Sequence, residues 1–270
     1  MLEAYEKLIA GEITPETLSA KSLFDPIAVG AVGGSGTRIL ARILAQAGVA
    51  MASPLNKAGD ALEWPPYRKL LDAPIARRYP REVILNNAHR AFEQLLIERR
   101  VALGLNGRVG WKVPGTFHRI KELSTYFPRF QYIHLIRHGM DMAYSRNQAQ
   151  ILNWAKSINV PVDYLPDGKV RAHSMLEYWL EANEHALADA QRYMPGRMLT
   201  VRFENLCRQP IIEIRKVLAF LELELSAEKV EGLAAMVQAP PSIGRFMQHH
   251  WQAEFTETQL QRLSKLGYHP

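Results

Sequence analysis

The stretch IAVGAVGGSGTRILARIL at residues 27–44 constrains the fold more than any other part of the chain. An apolar run at 27–32 is typical of a buried strand, and the apolar residues of 39–44 have helical spacing. Between them, residues 33–36 are three glycines and a serine, so the backbone can approach a ligand closely. The free N–H groups and the dipole of a helix that begins here attract an anion. The stretch therefore predicts a strand, a phosphate-binding loop and a helix.

The side chains of this loop add polar groups to the backbone site. Ser35 and Thr37 supply hydroxyl donors, and Arg38 supplies a planar cation. The stretch lacks the lysine of a Walker A motif, since Thr37 follows Gly36, and it does not match GxGxxG. The alternative is a strand-to-helix turn whose glycines only relieve crowding. The residues predicted to bind the anion are Gly33, Gly34, Ser35, Gly36, Thr37 and Arg38.

Composition places the chain among ordinary globular proteins. It has 270 residues, of which 47% are hydrophobic and 22% charged, and a net charge of +6 that suits an acidic small ligand or a polyanion. The single cysteine, Cys207, excludes an internal disulfide, and charged residues interrupt the apolar pattern of the N-terminus, unlike in a signal peptide. No apolar run reaches the roughly 18 residues that span a bilayer. We therefore predict a cytoplasmic protein without a membrane span or a nucleic-acid partner.

Short apolar runs alternate with helical patterns along the chain. The predicted strands lie at 27–32, 109–113, 132–136 and 198–202. Strands separated by helices form a mostly parallel sheet with helices on both faces. We predict a single α/β domain over 1–270, with four or five strands and a helical extension at 1–25. Because ligands bind at the carboxyl ends of such strands, the glycine loop, Lys112 and Arg137 should converge on one crevice.

Three stretches, in this order, resemble the sulfotransferase family. They are GAVGGSGTRIL at 30–40, YIHLIRHGMDMAYSRN at 132–147 and VRFENLCRQP at 201–210, and PSIGRF at 241–246 is similar to the family's C-terminal basic loop. The resemblance implies a fold like that of P-loop NTPases. It also implies the donor 3′-phosphoadenosine-5′-phosphosulfate (PAPS), with PAP as product and no metal. The implied acceptor is a small molecule, glycan or peptide with a hydroxyl or an amine.

The resemblance assigns the two ends of the donor to two regions. Residues 27–48 are the 5′-phosphosulfate loop and its helix, and residues 132–147 are the 3′-phosphate motif. In that motif Arg137 ends a strand and Ser145 follows eight residues later, one to two turns into the next helix. The resemblance also implies that Arg245 of the basic loop reaches the same phosphate, with a solvated arginine as the alternative. A guanidinium and a hydroxyl can hold one phosphate together. The alternatives are a surface arginine and a serine that bonds its own backbone.

Position 34 departs from the family pattern. The family usually has lysine or arginine there, which neutralises the leaving phosphate, whereas this chain has Gly34. Arg38 can replace that charge from the helix. So can Lys112, which resembles the second-strand lysine that lies against the transferring group in many members. If neither does, the protein binds PAPS and transfers poorly.

Sulfuryl transfer also needs a base for the acceptor. Glu63 is the preferred catalytic candidate, because some branches of the family place a glutamate at a similar separation after the loop helix. An ordinary acid at a helix start before Pro65 is the alternative. His118, six residues past the catalytic candidate Lys112, is the second candidate, with a helix-surface histidine as the alternative. The histidines show neither HxxH nor HExxH spacing, so we predict no metal site.

Three other classes compete with this interpretation. GGSGT at 33–37 is one residue short of the GxSxG nucleophile elbow, so a serine hydrolase that uses Ser35 is one alternative. A nucleotide kinase is the second, although its phosphate-binding lysine is missing. A non-catalytic PAPS or PAP binder is the third. No motif names the acceptor, and we predict its contacts in the irregular segments 51–66 and 153–170, the second of which contains a loop of lid length at 159–169.

Overall fold

The computed structural model describes residues 25–51, 55–72 and 80–270, and the predicted extension at 1–25 lies outside them but for Asp25. The strands are β1 (Ile27–Gly30), β2 (Ala50–Met51), β3 (Val109–Lys112), β4 (Gln131–Ile136) and β5 (Met198–Arg202). They form one parallel sheet in the order β2-β3-β1-β4-β5. This sheet confirms the predicted α/β class.

Helices cover the sheet on both faces. In the described chain they are α1 (Thr37–Gln46), α2 (Trp64–Asp72), α3 (Arg81–Ala102), α4 (Ile120–Tyr126), α5 (Gly139–Ala143), α6 (Ala149–Trp154), α7 (Ala172–Tyr193), α8 (Phe203–Arg208), α9 (Pro210–Phe220), α10 (Ala227–Ala234) and α11 (Glu257–Lys265). Short 3₁₀ helices lie at Pro114–Arg119, Ala155–Ile158, Arg245–Gln248 and Trp251–Ala253. Over the described ranges, every helix is too short or too polar to cross a membrane.

Strand β1 lies at the centre of the sheet and is buried on both faces. Its residues Ile27 and Val29 share one apolar layer with Leu40 of α1. Ala28 belongs to the layer on the opposite face, which includes Trp111 of β3. Alternation with period two and apolar residues on both faces are typical of a parallel strand between helices. The loop after β1 therefore lies in the middle of the carboxyl edge of the sheet.

The structure corrects one predicted segment and adds detail to another. Helix α5 ends at Ala143, so Ser145 follows the helix, and its predicted place within a helix is wrong. The second half of the loop at 159–169 forms a tight turn that is closed by an antiparallel bridge between Tyr164 and Val170. Hydrogen bonds of this kind limit how far a loop can move, and local sequence patterns do not predict them.

A buried polar network joins β4 to α7. His134 is fully buried between the Tyr132 hydroxyl, 3.0 Å from Nδ1, and the Asn183 amide oxygen, 2.8 Å from Nε2. The Asn183 amide nitrogen donates to the Trp179 carbonyl, so the Asn183 oxygen is the atom that faces His134. An amide oxygen only accepts hydrogen bonds, and His134 Nε2 therefore carries a proton. His134 is therefore neutral, and burial lowers its pKa to about 4.

We expect the free energy of unfolding to fall as the pH is lowered from 7 to 4. An unfolded histidine binds a proton near pH 6.5, whereas folded His134 stays neutral down to about pH 4, so protons favour the unfolded chain between these values. The slope from this one group is roughly 1.4 kcal/mol per pH unit. Urea unfolding at several pH values measures it. An NMR titration in which the His134 ring gains a proton near pH 6.5 would contradict the neutral network.

Candidate functional site

Residues 31–36 form a tight turn between β1 and α1. Gly34 and Gly36 have φ angles of +89° and +87°, in the left-handed region that favours glycine. The buried Ser35 hydroxyl donates to the Val32 carbonyl at 2.5 Å, which folds the turn back on itself. Gly36 is the N-cap of α1 and has no side chain to cap it. Among the described residues the N–H groups of Thr37 and Arg38 have no partner and are left for a ligand, whereas that of Ile39 donates to the Gly36 carbonyl at 3.2 Å.

Gly36 lies directly against the ring of Phe203, the first residue of α8. A Cβ atom at position 36 would lie 2.4 Å from Cε2 of that ring. The guanidinium of Arg137 also lies on Phe203, with Cζ 5.2 Å from the ring centroid, in a cation–π contact. One aromatic ring thus joins the glycine loop after β1 to the arginine after β4.

Arg137 carries a buried positive charge. Its Nη2 donates to the Ser242 carbonyl at 2.7 Å and to the Ser242 hydroxyl at 2.8 Å, and its side chain is 8% exposed. Its Nε is buried without a hydrogen-bond partner among the described residues. The pKa of Arg137 lies below its usual value, chiefly because burial removes water, while Asp141 and Glu204 offset part of that effect. This guanidinium therefore has a donor left for an anion.

The loop that contains Arg245 is held beside Arg137 by Asp141. The Asp141 carboxylate accepts from two backbone N–H groups of the loop, at 2.8 and 3.1 Å. The partly buried Arg245 side chain donates to the Tyr144 carbonyl at 3.3 Å. The Ser145 hydroxyl accepts from the backbone N–H two residues later at 3.2 Å, a local bond. The structure thus brings Arg245 and Arg137 together and shows Ser145 closing its own turn.

Distant residues fix the backbone on both sides of Arg137. The Tyr268 hydroxyl lies 3.1 Å from both the Ile136 carbonyl oxygen and a Glu204 carboxylate oxygen. The other Glu204 oxygen accepts from the backbone N–H of His138 at 2.9 Å. The residue before Arg137 and the residue after it are therefore both anchored, which holds the guanidinium in place.

Lys112, the last residue of β3, has an ammonium group that is already paired. Its side chain is 3% exposed, and Nζ donates to Asp60 Oδ1 at 2.5 Å and to the Ala58 carbonyl at 2.8 Å. The Asn56 side chain binds the second Asp60 oxygen and accepts from the backbone N–H groups of Ala58 and Asp60. The turn at 56–60 therefore holds the carboxylate against the lysine.

Arg38 lies beside this pair, exposed, in the first turn of α1. A Cβ atom on Gly59 would lie 3.3 Å from Cγ of Arg38 and 3.9 Å from Cε of Lys112. The two cations that the sequence offers in place of the residue missing at position 34 therefore lie against the same turn. Lys112 is buried and neutralised by Asp60, whereas Arg38 is exposed.

The two candidates for the base have different surroundings. Glu63 is buried, and its Oε1 lies 3.4 Å from Nε of Arg99 on α3. His118 stacks on Trp154 of α6, with ring centroids 4.6 Å apart. The buried Nε2 of His118 has no hydrogen-bond partner in the described chain, and burial lowers its pKa to about 4. His118 is therefore neutral at pH 7, so one ring nitrogen can accept a proton.

Helix α6 connects His118 to the glycine loop. The backbone N–H of Gly33 donates to the side-chain oxygen of Gln150 at 2.5 Å. Trp154, one turn later on the same helix, stacks on His118. Because Gly33 follows β1 and His118 follows β3, α6 spans the carboxyl ends of two neighbouring strands.

Sequence reasoning missed four residues of the site: Asp60, Gln150, Phe203 and Ser242. Phe203 and Ser242 lie inside stretches that resemble family motifs, so the sequence pointed to these positions but not to the contacts that they make. Asp60 lies in a segment predicted for the acceptor, and Gln150 had no signal. Within the described ranges, histidine, cysteine and carboxylate side chains form no group of three that could hold a metal ion.

Fold and site together define an α/β protein with a P-loop-like fold, with a glycine-rich loop after β1 and a buried arginine after β4. The chain belongs to the sulfotransferase family, whose model matches residues 26–227. This match confirms the family that the motifs predicted.

Solved sulfotransferase structures share this fold. The sulfotransferase domain from the curacin biosynthetic pathway has a TM-score of 0.57 at 14% identity, over 93% of this chain and 100% of that one. The domain from the Synechococcus PCC 7002 olefin synthase has a TM-score of 0.51 at 17% identity, over 93% and 97%. Sulfotransferase STF1 from Mycobacterium tuberculosis H37Rv has a TM-score of 0.55 at 13% identity, over 97% and 81%. At these identities the likeness concerns the fold alone. A search of curated proteins gives no match.

We expect Gly36→Ala to destabilise the protein by about 1–3 kcal/mol more than Gly48→Ala. Both glycines have positive φ, so both changes strain the backbone, but a Cβ at 36 meets Phe203 whereas nothing lies within 4 Å of a Cβ at 48. Urea unfolding of the two variants measures the difference. Equal losses would show that the Phe203 ring moves aside without cost.

Proposed function

We propose that this protein is a sulfotransferase that moves a sulfuryl group from PAPS to a hydroxyl or amine acceptor and releases PAP. The observation that carries the proposal is the contact of two anion-binding groups with one ring. Gly36 of the loop touches Phe203, and the buried Arg137 lies on the same ring. A nucleotide with phosphates at both ends of one nucleoside suits two such groups at neighbouring strand ends.

The residues present fit such a donor at both ends. At the loop, glycines leave the first N–H groups of α1 uncovered. At the other end, Arg137 Nε is buried without a partner in the described chain, and a phosphate there would compensate the cost of burying the charge. Arg245, held nearby by the loop bonds to Asp141, adds a second cation.

Bound PAPS supplies an activated sulfuryl group whose leaving group is the 5′-phosphate of PAP. The N–H groups and dipole of α1 stabilise the negative charge that grows on that phosphate during transfer. Arg38 adds a cation from the first turn of α1. While Lys112 is paired with Asp60, the two side chains together carry little net charge. Lys112 therefore helps the reaction only if its ammonium group leaves Asp60 and binds the transferring group. The acceptor must approach from the side opposite the leaving phosphate.

The acceptor must also lose a proton, and the contacts favour His118 over Glu63 as the group that takes it. The Glu63 carboxylate is buried beside Arg99, and that ion pair engages it. His118 is neutral, its Nε2 has no partner among the described residues, and Trp154 connects it to the helix that touches the loop. Because burial lowers its pKa to about 4, this imidazole is a weak base, and it takes the proton only as the bond to sulfur forms and makes the acceptor acidic.

A groove of about 490 Å³ beside α6 supports an acceptor with an apolar body. The groove lies between α6 and the residues that follow it, and all of its lining except Ile151 and Leu152 falls within the segment 153–170 predicted to contact the acceptor. Its lining is mostly apolar and includes Ile151, Leu152, Lys156, Val160, Val162 and Tyr164. Such a lining suits a small apolar molecule better than a glycan.

A non-catalytic PAPS or PAP binder is the second candidate function. It is favoured by the missing charge at Gly34 together with the Lys112–Asp60 pair, which leaves the exposed Arg38 as the cation beside the loop turn. Release of PAP from PAPS in the presence of a panel of phenol, alcohol and amine acceptors separates the two functions. Binding without release for every acceptor would favour the binder.

We expect PAP to stabilise the protein and ATP to do little, because only PAP has phosphates for both ends of the site. At a hundred times its Kd a ligand adds about 2.7 kcal/mol, which raises Tm by roughly 5–10 °C in a domain of this size. Arg137→Ala should raise the Kd for PAP tenfold or more, which is the change expected when a charged hydrogen bond to the phosphate is lost. It should weaken adenosine 5′-phosphosulfate, which lacks the 3′-phosphate, much less. Thermal shift and titration calorimetry measure both effects.

Arg42→Ala is the matched control, because it removes an exposed arginine from α1 and leaves Arg137 unchanged. We expect it to leave both nucleotides bound as in the wild type. Equal thermal shifts with ATP and PAP would contradict a 3′-phosphate site. Equal weakening of both nucleotides in Arg137→Ala would assign that residue a structural role.

For the base, we expect His118→Gln to keep PAP affinity and to lower sulfuryl transfer by about 10²–10⁴-fold. Glutamine keeps a hydrogen-bonding side chain but cannot take a proton at neutral pH. Glu63→Gln should lower stability more than turnover, because it removes the charge that faces Arg99. Steady-state kinetics and urea unfolding compare the two variants. Normal turnover in His118→Gln with lost turnover in Glu63→Gln would assign the base to Glu63.

A further inference from the structure

Gln150 of α6 places a side-chain amide directly on the glycine loop. Its oxygen accepts from the Gly33 N–H at 2.5 Å. A Cβ atom at position 33 would lie 2.5–2.7 Å from the amide carbon, the amide nitrogen and Cγ of Gln150. The space that glycine leaves at position 33 is therefore filled by this amide, and a larger residue there would displace it.

The bond to the loop fixes which way the amide is turned. A backbone N–H donates only to the oxygen of a carboxamide, so Oε1 of Gln150 faces Gly33. Nε2 then carries two N–H donors beside the loop. It has no hydrogen-bond partner among the described residues, and the side chain is partly exposed. Gln150 thus presents neutral, oriented donors at the edge of the predicted anion site.

Helix α6 is anchored at both ends, so Gln150 is held in place. The Gln148 side chain makes two hydrogen bonds with the backbone of Val170, at 3.0 and 3.1 Å. At the other end of the helix, Trp154 stacks on His118. An oriented donor on a fixed helix needs little reorganisation to bind a ligand.

The loop lacks the cation that the family usually places within it. Position 34, where the family usually has lysine or arginine, is Gly34. The nearby Lys112 ammonium is paired with Asp60. A sulfonate has three oxygens that accept hydrogen bonds, and an amide N–H can bind one of them without a charge.

We propose that Gln150 is a sulfonate-binding residue: its oxygen stays on Gly33, and Nε2 donates to a sulfonate oxygen of bound PAPS. This inference rests on the proposed function and adds a residue to it. It distinguishes PAPS from PAP, because PAP has the same two phosphate ends and no sulfonate. A residue that only supports the loop would affect both nucleotides alike.

The test compares PAPS and PAP binding to Gln150→Met and Gln150→Glu by titration calorimetry at low temperature. Methionine fills similar space without donor or acceptor, so the Kd for PAPS should rise about tenfold or more while that for PAP changes less than about threefold. Glutamate has the shape of glutamine but repels the sulfonate, so PAPS should bind more weakly still. Tm of each variant without nucleotide confirms that it is folded.

Asn153→Asp is the matched control, because it makes the same amide-to-carboxylate change on an exposed residue of α6. It should leave the ratio of the two Kd values unchanged. Equal weakening of PAPS and PAP in Gln150→Met would overturn the proposal, and so would tighter PAP binding, which would mean that the amide blocks the loop. Failure of the wild type to bind PAP would instead overturn the proposed function, and this inference with it.

Discussion

A positive charge kept out of water at the end of β4 is the constraint on which the site depends. A buried guanidinium without partners is unfavourable, so the fold surrounds Arg137 with compensating groups. Ser242 accepts from it, Asp141 lies 4.0 Å away, and the Phe203 ring lies against it. These partners leave Nε unsatisfied in the described chain. The same contacts that make the charge tolerable also bring the C-terminal basic loop and the glycine loop together around it.

Patterns that are local in sequence predict most of the fold. The stretch at 27–44 predicts β1 and α1, because glycine turns and helical spacing act over a few residues. The strands predicted at 109–113 and 132–136 agree with β3 and β4 to within a residue at each end. The place of Arg137 at the carboxyl edge then follows from the alternation of strands and helices, since parallel strands all end at one edge.

Contacts between distant side chains could not be predicted in this way. Lys112 and Asp60 are 52 residues apart, and their pairing depends on the shape of the turn at 56–60, which matches no motif. Gln150 meets Gly33 across 117 residues. A strand-end lysine with no known partner is expected to face a ligand, and only the packed structure shows that it is neutralised instead. Such pairings are set by tertiary geometry, which propensity and period do not contain.

The two ends of the site differ in how much of the chain each one needs. The turn of the glycine loop is closed by a local bond between Ser35 and Val32, with Gln150 and Phe203 as its distant contacts, whereas the Arg137 end gathers 137–141, 203–204 and 242–268. Contacts between near neighbours form at a small entropic penalty, while contacts across the chain require most of the domain to be in place. Opening of the C-terminal segment would dismantle the Arg137 end and leave the loop intact. If the proposed function holds, opening of residues 242–268 would therefore remove the selectivity for a 3′-phosphate while the loop still binds the 5′ end.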